Sequence, residues 1–182
     1  MLKLEGVTAD LGGKRIIDGF SAEFAPGVYA IMAPSGRGKT TLLRAIAGLI
    51  PFGGSITGAG KTAMLFQDDR LFPWLTVLQN AAITDKNEAA AAEWLARLGL
   101  SGYENAMPDT LSGGMQRRVS IAAWLVYGGD TLLMDEPTRG LDEDNAGRVM
   151  DIACRYAAGK PLIFTTHSPF LAQRFADRII TL

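Results

Sequence analysis

The sequence predicts an α/β fold on a mostly parallel sheet core, with an antiparallel β subdomain at the N-terminus and an inserted helical subdomain. Three observations carry this. Five short apolar runs, Val28–Met32, Thr62–Phe66, Thr131–Met134, Pro161–Thr165 and Arg178–Leu182, have the length and composition of buried strands. Helical patterns separate them, and buried strands alternating with helices pack as a parallel sheet. Residues 67–111 hold helical patterns and no convincing strand. The organisation expected is one domain over residues 1–182, with 1–66 and 112–182 as its core and 67–111 as the helical subdomain.

The elements follow in order. Met1 to Phe24 alternates loosely and is broken at Gly12-Gly13 and Pro26-Gly27, which predicts a few short, partly antiparallel strands. Thr40–Ala47 places Leu42, Leu43, Ile46 and Ala47 on one helical face. Asp85 with Glu88 three residues on has the spacing of a capping box for an Ala-rich helix that ends at Gly99. Met115–Tyr127 and Asn145–Ala158 repeat the helical period.

Composition narrows the function. The 182 residues are 48% hydrophobic and 20% charged, so the chain can bury a core and is not a disordered segment. Lys plus Arg is 18 and Asp plus Glu is 19, for a formal charge of −1 with no run of like charges, which excludes a polybasic nucleic-acid arm or an acidic tail. A single cysteine, Cys154, excludes an intrachain disulfide and a Cys-rich metal site. The N-terminus does not read as a secretory signal, and no apolar stretch approaches the ~18 residues needed to cross a bilayer. Glycine is the departure, 21 of 182 residues against a usual ~7%.

Many of those glycines are ordinary turns, while Gly36, Gly38, Gly113 and Gly114 sit at two helix starts. Ala33-Pro34-Ser35-Gly36-Arg37-Gly38-Lys39-Thr40-Thr41 follows a buried strand and opens a helix. Backbone N–H groups of such a turn converge on phosphate oxygens, and the helix dipole adds positive potential. Lys39 is expected to reach the β and γ phosphates and the Thr40 hydroxyl to ligate Mg²⁺. The usual pattern opens with glycine where Ala33 stands, which requires negative φ or space for the methyl group. The second start is Leu111-Ser112-Gly113-Gly114-Met115-Gln116, where Ser112 is a potential cap and the helix end a second anion site. A second such site on a chain this small is easiest to use if it closes over the nucleotide of another copy, which predicts a head-to-tail dimer.

The remaining candidates sit at strand ends. Thr131-Leu132-Leu133-Met134-Asp135-Glu136 ends in two acids, and strand alternation would point them to opposite faces. Asp135 is then the Mg²⁺ carboxylate and Glu136 the group that activates water against the γ-phosphate. His167, the one histidine, follows Leu162–Thr166 and reads as a γ-phosphate contact, since ligands of open α/β sheets bind at the carboxyl ends of strands. Gln67 ends another strand and offers an amide oxygen to the metal or the attacking water; alone it would mean nothing.

This ordered set resembles the nucleotide-binding subunits of ATP-binding cassette (ABC) transporters. Ala33 to Thr40 matches their Walker A loop, Gln67 the Q-loop, Leu111 to Gly114 the signature, Leu132 to Glu136 the Walker B strand and its glutamate, Leu141-Asp142 the D-loop and His167 the switch histidine. The resemblance runs over about residues 1–182 and implies a P-loop NTPase (RecA-like) core. It implies ATP and Mg²⁺ as ligands, a homodimer sandwiching ATP between one copy's loop and the other's signature, and a separate membrane-spanning permease, with this chain peripheral to it at the cytoplasmic face of the membrane. The region around Gln67 resembles bacterial importers of sulfonates, nitrate or thiamine, which implies import and an extracytoplasmic solute-binding protein acting through the permease. Leu71, Phe72, Trp74 and Leu75 either receive a helix of the permease or pack the helical subdomain's own core.

Several positions depart from that pattern. Leu11 stands where an aromatic residue commonly stacks on adenine, so it offers apolar contact without π overlap. Met115 stands for a usual Gln, Ala123 for a usual Arg, and Arg139 and Gly140 occupy D-loop positions that are more often small. A chain that stops soon after His167 is expected to lack a regulatory extension. Among other classes, a soluble ABC ATPase of DNA repair or translation would carry a coiled-coil insertion, zinc modules or two cassettes, and no nucleic-acid partner is expected. A GTPase would need Asn-Lys-x-Asp, and Asp85-Lys86-Asn87-Glu88 has the wrong order. A small-molecule kinase would leave the signature helix without a use. Intact Glu136 and His167 argue against a module that binds ATP without turnover.

Overall fold

A computed structural model describes all of residues 1–182. The chain forms two compact units, Met1–Met64 with Gly129–Glu136 and Ala157–Leu182, and Leu65–Gly128 with Pro137–Tyr156.

The first unit carries both sheets. β1 (Leu2–Leu11), β2 (Lys14–Phe24) and β4 (Gly53–Thr57) make an antiparallel sheet in the order β2-β1-β4. β1 and β2 are long strands of ten and eleven residues, where the sequence predicts several short ones. Register shifts at Leu4/Val7, Val7/Ala9 and Ala9/Asp10 break the alternation that would have marked them as continuous. The second sheet has the order β5-β6-β7-β3-β8, from β3 (Gly27–Met32), β5 (Thr62–Leu65), β6 (Thr131–Met134), β7 (Pro161–Thr165) and β8 (Arg178–Thr181). β3 runs parallel to β7 and β8, and β6 parallel to β7. Every residue of β6 and β7 is buried, which is why they read as unbroken apolar runs. The core joins Leu4, Phe24, Tyr29 and Ile31 to Leu42, Leu43 and Ile46 of α1 (Lys39–Ile46), and Phe24 meets Tyr29 edge to face at 4.9 Å between centroids. Each fully buried side chain of this size contributes roughly 1.5–3 kcal/mol. Pairing of Ile31 with Thr165, and of Met134 with Phe164, brings the carboxyl ends of three central strands level.

The second unit is helical: α2 (Val77–Ala81), α3 (Glu88–Arg97), α4 (Gly113–Tyr127) and α5 (Glu143–Tyr156). The capping box is on α2, where Thr76 Oγ1 accepts from the Gln79 N–H and Gln79 Oε1 from the Thr76 N–H. α3 starts instead at Asn87, whose side chain accepts from the Ala90 N–H; Asp85 lies before the cap, so its spacing to Glu88 has no helical meaning. Buried Asn80 donates to the carbonyls of Phe72, Leu75 and Thr76 and accepts from the Phe72 N–H, holding residues 72–76 in a fixed loop. The last helix, α6 (Pro169–Phe175), returns to the first unit with Ser168 as its cap.

Candidate functional site

The loop after β3 is shaped by two left-handed glycines, Gly36 at φ 77° and Gly38 at φ 93°. A Cβ on Gly38 would stand 2.8 Å from Ile16 Cγ2 and 2.8 Å from Ile17 Cδ1, so the loop lies directly against β2. Ala33 is buried and outside the left-handed region, which accommodates its methyl group. Pro34, Ser35, Gly36 and Arg37 are exposed. Gly38 is the N-cap of α1 and no side chain caps that end. Its first N–H groups are oriented as an anion cradle. Lys39 is buried beside it, with Nζ donating to the carbonyl of Ala33 at 2.8 Å and lying 3.1 Å from His167 Nε2. Glycine backbone, a bare helix start and an ammonium group together suit the phosphates of a nucleotide.

Four further side chains meet there. The Thr40 hydroxyl donates to Asp135 Oδ2 at 2.7 Å. Thr165 donates to Asp135 Oδ1 at 2.7 Å and accepts from the Glu136 N–H at 2.9 Å. Glu136 Oε1 lies 2.8 Å from His167 Nε2. Hydroxyl and carboxylate oxygens are the donors a small hard cation such as Mg²⁺ prefers, so Thr40 and Asp135 fit one chemically. The alternation expected of Asp135 and Glu136 does not apply. β6 ends at Met134, and Glu136 has φ 46°, a left-handed turn and not extended strand. Leu11 is 57% exposed at the end of β1, opposite Lys14.

The other candidates belong to the second unit. Gln67 is half-buried just after β5. Ser112 Oγ accepts from the Met115 N–H and caps α4. A Cβ on Gly114 would stand 3.4 Å from both the Gly140 carbonyl and Leu141 Cδ2, whereas Gly113 has open space. Gln67, Asp68, Arg70, Gly113, Arg139 and Gly140 share the lining of an open cavity of about 600 Å³. Trp74 is 70% exposed and Phe72 40%, their rings edge to face at 5.5 Å, while Leu71 and Leu75 are half-buried. The two aromatic residues are therefore surface, not core.

Two residues of this architecture escape a reading of the sequence alone. Arg117, 1% exposed, donates from Nε to the Pro137 carbonyl at 3.0 Å and from Nη1 to the Phe66 carbonyl at 2.6 Å and Asp69 Oδ1 at 3.1 Å. Ser120 adds a bond to the Asp69 carbonyl at 2.7 Å. The one available signal was an arginine on the apolar side of α4. The other is Thr165, whose polarity interrupts an apolar strand.

Comparison with known proteins identifies the family. Residues 17–139 match the family model described as ABC transporter. The chain is 36% identical to the aliphatic sulfonates import ATP-binding protein SsuB 3 of Paraburkholderia xenovorans, over all of this chain and 76% of that protein. It is 37% identical to the thiamine import ATP-binding protein ThiQ of Ruegeria sp., over 99% of this chain and 87% of that one. Among solved structures, a dimeric post-hydrolysis state of the ATP-binding cassette MJ0796 bound to ADP and Pi superposes with a TM-score of 0.90 at 28% identity, covering all of this chain and 94% of that one.

Proposed function

The chain belongs to the ABC transporter family, and from that premise we propose how its residues divide the work of an ATP-hydrolysing transporter subunit. The observation that carries the reading is the convergence of Lys39, Thr40, Asp135, Glu136 and His167 in one hydrogen-bonded group. The N–H groups of Gly36 to Thr41 hold the β and γ phosphates, with Pro34, Ser35 and Arg37 forming the rest of the loop, and Lys39 neutralises part of their charge. Glu136 orients a water molecule and takes its proton as the oxygen attacks the γ-phosphorus. The bond from that phosphorus to the β,γ-bridging oxygen breaks, giving ADP and phosphate. His167 contacts the γ-phosphate, and Leu11 gives the base an apolar contact. When bound, Mg²⁺ supplies charge neutralisation on the phosphates; Thr40 and Asp135 are the residues that would hold it, and Gln67 serves the metal or the attacking water.

Residues 1–66 and 112–182 serve as the catalytic core and 67–111 as the helical subdomain. Ser112, Gly113 and Gly114 are assigned to the nucleotide of a second copy in a head-to-tail pair. The named relatives are import ATP-binding proteins, which supports import of a small solute through a separate permease, with a solute-binding protein upstream of it. No helix is long and apolar enough to cross a membrane, and a peripheral position on the permease at the cytoplasmic face fits that role. Exposed Phe72 and Trp74 are proposed to meet the permease. A soluble non-transport ATPase is not favoured by these relatives.

Glu136→Gln tests the reading. Phosphate release is expected to fall by roughly 10²–10⁴-fold while ATP-bound protein accumulates as a dimer on size exclusion. Unchanged turnover would remove Glu136 from its role; lost turnover without a dimer would remove the head-to-tail pair.

A further inference from the structure

Leu162, Ile163 and Phe164 are fully buried and apolar, as an interior strand requires, and Thr165 then ends β7 at 0% exposure. Valine would fill almost the same volume, so a hydroxyl here is unfavourable unless both its proton and a lone pair are used. Both are used, and on the two acids of the site. The proton goes to Asp135 Oδ1 at 2.7 Å and a lone pair receives the Glu136 N–H at 2.9 Å. Asp135 is itself 1% exposed and its other oxygen takes the Thr40 hydroxyl, so two hydroxyls fix the plane of the carboxylate. Glu136 holds a left-handed φ of 46°, a conformation that persists in a non-glycine residue only where its surroundings impose it. Its N–H is tied to Thr165 at that turn, and from the turn its carboxylate reaches His167.

We propose that Thr165 is a positioning residue for hydrolysis, its single buried hydroxyl setting both the Asp135 carboxylate and the backbone turn that aims Glu136. The inference rests on the roles given above to Asp135 and Glu136. It predicts an effect on turnover rather than on nucleotide capture, because the phosphate loop makes none of these bonds except through Thr40.

Thr165→Val removes the hydroxyl at nearly constant shape, and Thr165→Ser keeps it. In the Val variant kcat for ATP hydrolysis falls by roughly 10–100-fold, the scale expected of a misaligned reacting group, with KM for ATP within about threefold of wild type. Hydrogen exchange at the Glu136 amide speeds up in the same variant. The Ser variant restores both kcat and amide protection. Where the Val variant fails to fold, the Ser and Ala variants give the same contrast. Wild-type kcat with a protected Glu136 amide in the Val variant overturns the proposal, as does equal impairment of Val and Ser, which would assign the effect to packing at this position rather than to the hydroxyl. Turnover surviving in Glu136→Gln would instead overturn the underlying role of Glu136, so the two failures are separable.

Discussion

Nε2 of His167 lies 3.1 Å from the ammonium of Lys39. The same ring nitrogen is 2.8 Å from Glu136 Oε1, and one nitrogen cannot both accept from Lys39 and donate to Glu136 in a single tautomer. His167 is thus poised between the phosphate-binding group and the proposed base. Removing it by His167→Ala is expected to lower kcat by roughly 10²-fold, the scale of a lost transition-state contact, while ATP affinity changes by less than tenfold. Steady-state phosphate release with a parallel equilibrium titration of ATP checks this; an unchanged kcat would leave His167 without a catalytic part.

Gly38→Ala and Gly36→Ala should separate two effects. Both positions are left-handed, so each substitution carries a backbone penalty of about 1–2 kcal/mol. Only at Gly38 does the added Cβ collide, with Ile16 and Ile17 at 2.8 Å; at Gly36 nothing lies within 4 Å. Denaturant midpoints are expected to drop further for the Gly38 variant, with ATP binding lost there first.

Arg117→Met removes the donor to the carbonyls of Phe66 and Pro137 and to Asp69. Asp69 retains partial exposure, so the expected loss is about 2–4 kcal/mol, between a buried unsatisfied polar group and a broken buried ion pair. Urea unfolding measures it. Arg117→Lys should recover only part of that loss, because an ammonium cannot reproduce the guanidinium fork.

The start of α5 should respond to acid. The backbone N–H and side-chain amide of Asn145 bond the Asp142 carboxyl and hold it below its ordinary value of 3.8. A carboxyl depressed by folding stabilises the native state fully above the unfolded value, and that contribution disappears as pH falls through the lower folded value. The stability difference between wild type and Asp142→Asn should therefore be constant at neutral pH and shrink below about pH 4. A pH series of urea midpoints tests it, and a difference that grows with acid would contradict the cap.

Legibility in the sequence followed burial. β3, β6 and β7 are interior on both faces, so their runs announce their bounds to within a residue. β4 begins Gly53-Gly54 and α6 begins at Pro169, and those residues hid a strand and a helix behind turn chemistry. At the candidate site, motif spacing points to Lys39, Thr40, Asp135, Glu136 and His167, and the fold does bring these five together. What spacing cannot convey is the neighbour of a strand: Thr165 meets Asp135 because β7 lies beside β6. The left-handed turn at Glu136 is equally silent in a sequence where glycine is the usual mark of that conformation.

The division of the chain into two units bears on its synthesis. The polypeptide passes from one unit to the other four times, so neither is complete as a continuous stretch leaving the ribosome. The Val28 N–H is bonded by Asp177 across 149 positions, and β3 must wait for β8 before its outer side is covered. At about 5–20 residues per second that interval is on the order of ten seconds, during which β3 and the nascent phosphate loop that follows it lack one or both strand neighbours. Truncation anywhere before β8 should yield an aggregation-prone product rather than a smaller working cassette.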